Sequence, residues 1–187
     1  GWTVAESVRD FGTRAPTDRP FFQPGSMDPL LARAVVNLAG VHEGDYVLDP
    51  MCGTGGLLLE AGLVGARPVG FDAQFGMVEG TRRNLDAYLD DGGFLGIADA
   101  TALPLRTASL DAVVFDAPYG RQSKIATHSL DVLIEGALEE ANRVADRGVV
   151  VADRDVTSPA ENAGWRVRAV YERRVHRSLV RFVHVLR

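Results

Sequence analysis

Cysteine occurs once in this 187-residue chain, as Cys52, so no internal disulfide can form. No group of Cys and His has metal-ligand spacing, which excludes a structural zinc and leaves no metal to expect. Lysine is equally scarce: among 20 basic residues only Lys124 is not arginine. With a formal net charge of −5 and a pI near 5.4, the chain does not grip nucleic acid by overall charge. Any such partner has to be held locally or by another domain. An acidic, lysine-poor surface fits a salt-rich cytoplasm or a GC-rich genome, and stability indifferent to molar KCl would dismiss the first. No uninterrupted apolar stretch approaches the ~18 residues that span a bilayer, and no basic-then-apolar leader opens the chain. The expected location is therefore cytoplasmic, with no membrane partner. Repeats and low-complexity tracts are also absent. What remains, 46% hydrophobic and 24% charged, is the composition of an ordinary globular domain, and the length suits a single one with a sizeable core.

The stretch that organises the rest is Val47-Leu48-Asp49-Pro50-Met51-Cys52-Gly53-Thr54-Gly55-Gly56. An apolar run ends in an acid, a glycine-rich turn follows, and Leu57-Leu58-Leu59 opens a helix, the order of a nucleotide-binding βα unit. Two ligand classes fit that order. A dinucleotide fingerprint needs a third glycine where this chain has Leu58. Asp49 would also add negative charge beside a pyrophosphate, whereas it suits a cationic or amino-bearing ligand. S-adenosylmethionine, with a sulfonium, an ammonium and no phosphate, is such a ligand. The alternative is an ordinary αβ turn without a ligand.

Three more apolar runs end in acids. Arg67-Pro68-Val69-Gly70-Phe71-Asp72 places its acid 23 residues after Asp49, the span of one right-handed βαβ step. Both carboxylates then lie at the carboxyl edge of adjacent parallel strands, where open α/β sheets bind ligands. Asp72, with Ala73 behind it, suits the two hydroxyls of a ribose, or else caps the next helix. Leu95-Gly96-Ile97-Ala98 leads to Asp99 and Ala100, where the acid can accept from an adenine amine or serve as a turn residue. Leu110 to Phe115 runs into Asp116-Ala117-Pro118-Tyr119-Gly120, the stretch proposed to carry the chemistry. Beyond it Arg121, Lys124 and His128 could meet a phosphate.

Elsewhere, periodicity predicts helices from about Asp28 to Ala39, Met77 to Leu89, Leu130 to Val144 and Pro159 to Ala163, with Ser26 or Asp28 capping the first. Gly148 to Ala152 is a further strand. Trp165 to Val175 and Leu179 to Leu186 read as a hairpin closed at His176-Arg177-Ser178. Residues 1–20 show no sustained period and are expected to be a linker or tether. The loop Phe21-Phe22-Gln23-Pro24-Gly25-Ser26-Met27 either anchors the core or folds over the ligand.

These residues resemble the class I S-adenosylmethionine-dependent methyltransferases over 21–187. Asp49-Pro50-Met51-Cys52-Gly53-Thr54-Gly55 looks like that family's first motif, Asp72 like its ribose acid and Asp99 like its adenine acid. Asp116-Ala117-Pro118-Tyr119 looks like the D/N-P-P-Y/F motif of enzymes that methylate exocyclic amines. The resemblance implies a Rossmann-like doubly wound α/β sheet of seven strands, mostly parallel, with a C-terminal antiparallel hairpin. It implies cofactor contacts from Phe22, Pro24, Ser26, Met27, Asp49, Cys52, Gly53, Thr54, Gly55, Asp72, Ala73, Asp99, Ala100 and Asp116, and catalytic roles for Asp116, Ala117, Pro118 and Tyr119. Arg19-Pro20-Phe21-Phe22-Gln23-Pro24-Gly25-Ser26-Met27 and His176-Arg177-Ser178-Leu179 are closer still to the archaeal tRNA guanosine-10 N2-methyltransferase group. Its members bind tRNA through an N-terminal THUMP domain that this chain lacks, so a catalytic domain, monomeric and tethered to a missing RNA-binding domain, is expected. Ala117 departs from the family's proline and leaves the rigidity of that loop open.

An aromatic amine is a poor nucleophile because its lone pair is delocalised. A carboxylate at Asp116 and the Ala117 carbonyl could accept its hydrogens and aim the lone pair, while Pro118 stiffens the loop and Tyr119 stacks on the base. Three rivals stand beside this reading. They are another amine methyltransferase (adenine N6 or ribosomal guanine N2), a nicotinamide-dependent oxidoreductase, and a non-catalytic binding module. Cys52 as a nucleophile is disfavoured, since it sits in the cofactor turn rather than beside the base loop.

Overall fold

The structure, a computed structural model, describes residues 8–119, 127–176 and 179–187. Tyr46–Asp49 (β1), Arg67–Asp72 (β2), Phe94–Ile97 (β3), Ala112–Asp116 (β4), Gly148–Ala152 (β5), Val167–His176 (β6) and Leu179–Leu186 (β7) form one sheet. Its order is β3-β2-β1-β4-β5-β7-β6. The strands β1 to β5 run parallel, and β7 inserts antiparallel between β5 and β6. Strand order steps outward from β1 to β3 and then reverses to β4, so the crevice between β1 and β4 is the switch point. Asp49 and Asp116 end those two strands.

Pro29–Leu38 (α1), Gly56–Leu63 (α2), Phe75–Tyr88 (α3), Thr127–Val144 (α4) and Thr157–Asn162 (α5) cover both faces of the sheet. On β4, Val113 and Phe115 enter the core under α4 with Leu130, Ile134 and Leu138. The alternate residues Ala112 and Val114 enter the core under α1 and α2 with Val35, Val36, Leu57 and Ala61. Burial on both faces is why the central strands are continuous apolar runs. Asp28 starts α1 by accepting from the amides of Leu30 and Leu31, with Pro29 in the first helical position, so the cap is Asp28 and not Ser26.

The expected tether is partly ordered structure. Val8–Arg14 and Pro16–Asp18 are 3-10 turns, and Arg14 and Arg19 are buried. The physical reason is Glu60, fully buried on α2, which needs counter-charge. Arg14 Nε reaches one of its oxygens at 2.6 Å and Arg33 reaches the other at 3.0 Å. Arg121, Lys124 and Ser178 lie outside the described residues, as do Arg177 and the side chain of His128.

Candidate active site

The turn after β1 is built by α3. Asn84, fully buried, donates to the carbonyls of Thr54 and Phe21 at 2.9 and 2.8 Å and accepts from the Phe21 amide at 2.8 Å. One amide side chain thereby holds the glycine turn against the 21–27 loop. Thr81 donates to the Gly53 carbonyl at 2.8 Å and packs under Gly55. Gly55 has φ +75°, and a Cβ there would stand 2.7 Å from the Thr81 methyl, so no other residue fits. Ser26 and Thr54 hydroxyls meet at 3.0 Å, closing the loop onto the turn.

These elements enclose a cavity of about 280 Å³. Pro24, Ser26, Met27, Asp49, Cys52, Gly53 and Thr54 line it on the turn side, and Asp116, Ala117, Pro118 and Tyr119 face them. Gln23 and Gly25 of the 21–27 loop and Gly56 and Leu57 of the turn line it too, joined by Gln74 and Met77, which carried no role in the sequence reading.

Not every expected contact reaches the cavity wall. Asp72 sits behind it, its carboxylate accepting from the amides of Gly53 at 3.0 Å and Gln74 at 2.9 Å, so it braces the turn and the start of α3 together. Those two bonds leave further lone pairs on the carboxylate for a diol. Asp99 closes a turn on its own neighbour, accepting from the amide and hydroxyl of Thr101 at 2.9 and 2.8 Å, which holds its carboxyl below the ordinary range. It is exposed and outside the cavity lining, as are Ala73 and Phe22, while Ala100 is buried. Phe22 turns outward because Phe21 is the anchor: its ring packs directly against Gly80 on α3. Gly55 lies beneath the lining, on Thr81.

The electrostatics favour a cationic ligand. Burial pushes the Asp49 carboxyl well above its usual range, against the Met51 amide that donates to it at 3.1 Å, and the nearby carboxylates of Asp116 and Asp72 push the same way. Asp116 is pushed up to about 6, again mainly by burial, with Arg181 and the Tyr119 hydroxyl opposing. A positive ligand between Asp49 and Asp116 would relieve both. Burial also pushes the Cys52 thiol up, which takes away the thiolate a nucleophile needs.

Around Asp116 the sequence reading missed one residue. Arg181, on β7, points Nη2 at Asp116 Oδ2, 3.4 Å away, and lies over the Tyr119 ring at 5.2 Å. The Tyr119 hydroxyl donates to the other oxygen, Oδ1. The only signal was a lone charge inside the apolar run Leu179 to Leu186. The Ala117 amide, which a proline would lack, donates to the Val151 carbonyl at 2.8 Å and ties the start of the loop to β5.

A Methanothermobacter thermautotrophicus protein named tRNA (guanine(10)-N2)-dimethyltransferase is 42% identical over 185 residues, covering 96% of this chain and 54% of its own length. A Methanocaldococcus jannaschii protein of the same name is 38% identical over 183 residues, covering 94% of this chain and 50% of its own length. The chain thus spans about half the length of these curated relatives. Among solved structures, TrmN from Thermus thermophilus shares the fold with a TM-score of 0.73 at 24% identity, covering 95% of this chain and 52% of that one. The family described as the RMKL-like methyltransferase domain matches residues 16–182, and the chain, with its methyltransferase sheet and acid-lined cavity, belongs to it.

Proposed function

We propose that this domain transfers methyl groups from S-adenosylmethionine to the exocyclic N2 amine of a guanosine in tRNA, at position 10, forming N2-methyl- and N2,N2-dimethylguanosine. One observation carries the reading: Asp116 and the glycine turn line one cavity, so an acceptor amine and a cofactor held by that turn would meet. The names of the relatives supply guanine N2 and tRNA.

The residues present fit the cofactor. Asp49 and Asp116 are two acids raised by burial on one cavity, an arrangement that suits a cation, and Asp72 keeps lone pairs for hydroxyls. Asp49, Cys52, Gly53, Thr54, Ser26 and Met27 would hold it, and when bound it supplies an electrophilic methyl on a sulfonium. On the acceptor side, the amine enters at Asp116 Oδ1 in place of the Tyr119 hydroxyl. Asp116 and the Ala117 carbonyl accept its hydrogens and draw its lone pair out of the ring, which is positioning reinforced by fixed charge. The released Tyr119 ring stacks on the base, Pro118 stiffens the loop, and the Asp116 carboxylate takes the proton. An acidic domain of this kind relies on a further domain of the longer protein for most of its hold on tRNA, and the half of each relative that this chain leaves uncovered gives room for one.

The test is mass spectrometry of nucleosides from unmodified tRNA incubated with S-adenosylmethionine and the full-length protein that carries this domain. N2-methylguanosine, then N2,N2-dimethylguanosine, is the expected product. N6-methyladenosine, or no methylated nucleoside at all, would overturn the assignment.

A further inference from the structure

Two loops meet in the cavity, one beside the cofactor turn and one at the acceptor end, and no stretch of chain joins them directly. The loop that holds Gly25 precedes α1, whereas Asp116 to Tyr119 follows β4. The side chain of Arg181 touches both. Arg181 donates from Nη2 to the Gly25 carbonyl at 3.2 Å, and the same nitrogen stands 3.4 Å from Asp116 Oδ2. Its guanidinium also covers one face of the Tyr119 ring. The side chain is only 6% exposed, and its buried Nε has no hydrogen-bond partner, so it is committed to this place without being saturated there.

We propose that Arg181 is the positioning residue of this site: one guanidinium ties the cofactor-side loop at Gly25 to the acceptor-side acid at Asp116, and it keeps that acid ionised inside the cavity. This rests on the function proposed above and adds to it the device that sets the acceptor carboxylate in charge and in place. Arginine suits the task because its planar fork can serve two acceptors while lying flat on a ring, which lysine cannot do. Among the described residues, the charged and titratable groups around Asp116 are Arg181 from β7, Tyr119 from its own loop, Asp153 just after β5 and Asp49 from β1. Of these only Arg181 carries positive charge. Burial opposes ionisation of Asp116 most, and the Asp153 carboxylate adds to it.

The sign of the effect follows. A cation within a few ångströms lowers a carboxyl pKa by about 1–3 units. Removing Arg181 would therefore lift Asp116 from about 6 to about 7 or above, so less of it is ionised at neutral pH. In Arg181→Gln the acidic limb of the kcat profile moves up by about one to three pH units, and raising the pH restores most of the lost rate. In Arg181→Lys, which keeps charge but not the fork, the limb stays within about half a unit of wild type, while affinity for S-adenosylmethionine falls through the loosened Gly25 loop. Thermal melts of both variants report folding separately.

A second readout needs no RNA. Calorimetric titration of this chain with S-adenosylmethionine across pH should show affinity rising as Asp116 ionises, with the midpoint moved upward in Arg181→Gln. A limb and a binding midpoint that both stay put, with rate lost equally at every pH, would make Arg181 a structural arginine and overturn the proposal. A full-length protein that binds the cofactor but methylates no RNA would instead tell against the function, with the binding midpoint of this chain still deciding for or against Arg181.

Discussion

Asp116 has two requirements that pull against each other: it must sit out of bulk water to grip an amine, and it must be ionised to do so. Burial lifts its carboxyl from 3.8 to about 6, so the native state holds that proton more tightly than the unfolded chain. The contribution of this group to stability therefore falls as pH rises from about 4 to about 6, while the catalytic form appears over the upper part of that window. The rate should rise tenfold per pH unit below about 6 and level off above it, as a pH profile of kcat would record. Asp116→Ala should lower kcat by about 10²–10⁴ and flatten the pH dependence of the calorimetric affinity for S-adenosylmethionine, at a cost of only a few fold at neutral pH because the turn side of the cavity is untouched. Equal activity in that variant would end the assignment. Cys52 makes a contrasting prediction. Buried and shielded among carboxylates, it should resist alkylation by iodoacetamide in the native protein and react at once in denaturant, as intact-mass measurements would reveal.

Among the elements, α3 has the widest reach into the site. Through Asn84 it holds both the Thr54 turn and the Phe21 strand of loop, so Asn84→Ala strands one amide and two carbonyls. A loss of about 2–3 kcal/mol is expected, a fall in Tm on the order of 4–12 °C for a domain of this size, with weaker cofactor binding in the same samples. Calorimetric melts and titrations check both. The strand ends were legible in sequence because each is an apolar run stopped by an acid, and β1, β2 and β4 carry their acids where that pattern put them. Asp99 also makes a local turn with Thr101 through one carboxylate oxygen, and nothing in an isolated Asp-Ala signals that. Residues 8–18 gave no period because 3-10 turns this short have none to give. Arg181 was hidden for a different reason: its partner lies 65 positions upstream, and only strand pairing brings the two together.

At the scale of the whole molecule, the buried Glu60 cluster joins the start of the chain to the helix behind the cofactor turn. Glu60→Gln would leave Arg14 and Arg33 facing a neutral group in a closed space, at a cost of about 3–5 kcal/mol that urea denaturation should register. If stability were unchanged, residues 8–19 would be ornament rather than part of the domain. The direction of β7 matters in another way. Because it runs against its neighbours, its opening residues, not its closing ones, lie at the edge where β4 and β5 end: Ala152 pairs with Phe182, one step from Arg181. The counter-ion of the acceptor acid thus comes from a strand that enters the sheet only after the parallel core, β1 to β5, has been laid down in sequence. A chain cut before β7 would keep every parallel strand and the glycine turn yet lose Arg181, so the sheet's antiparallel edge serves the chemistry as well as the fold.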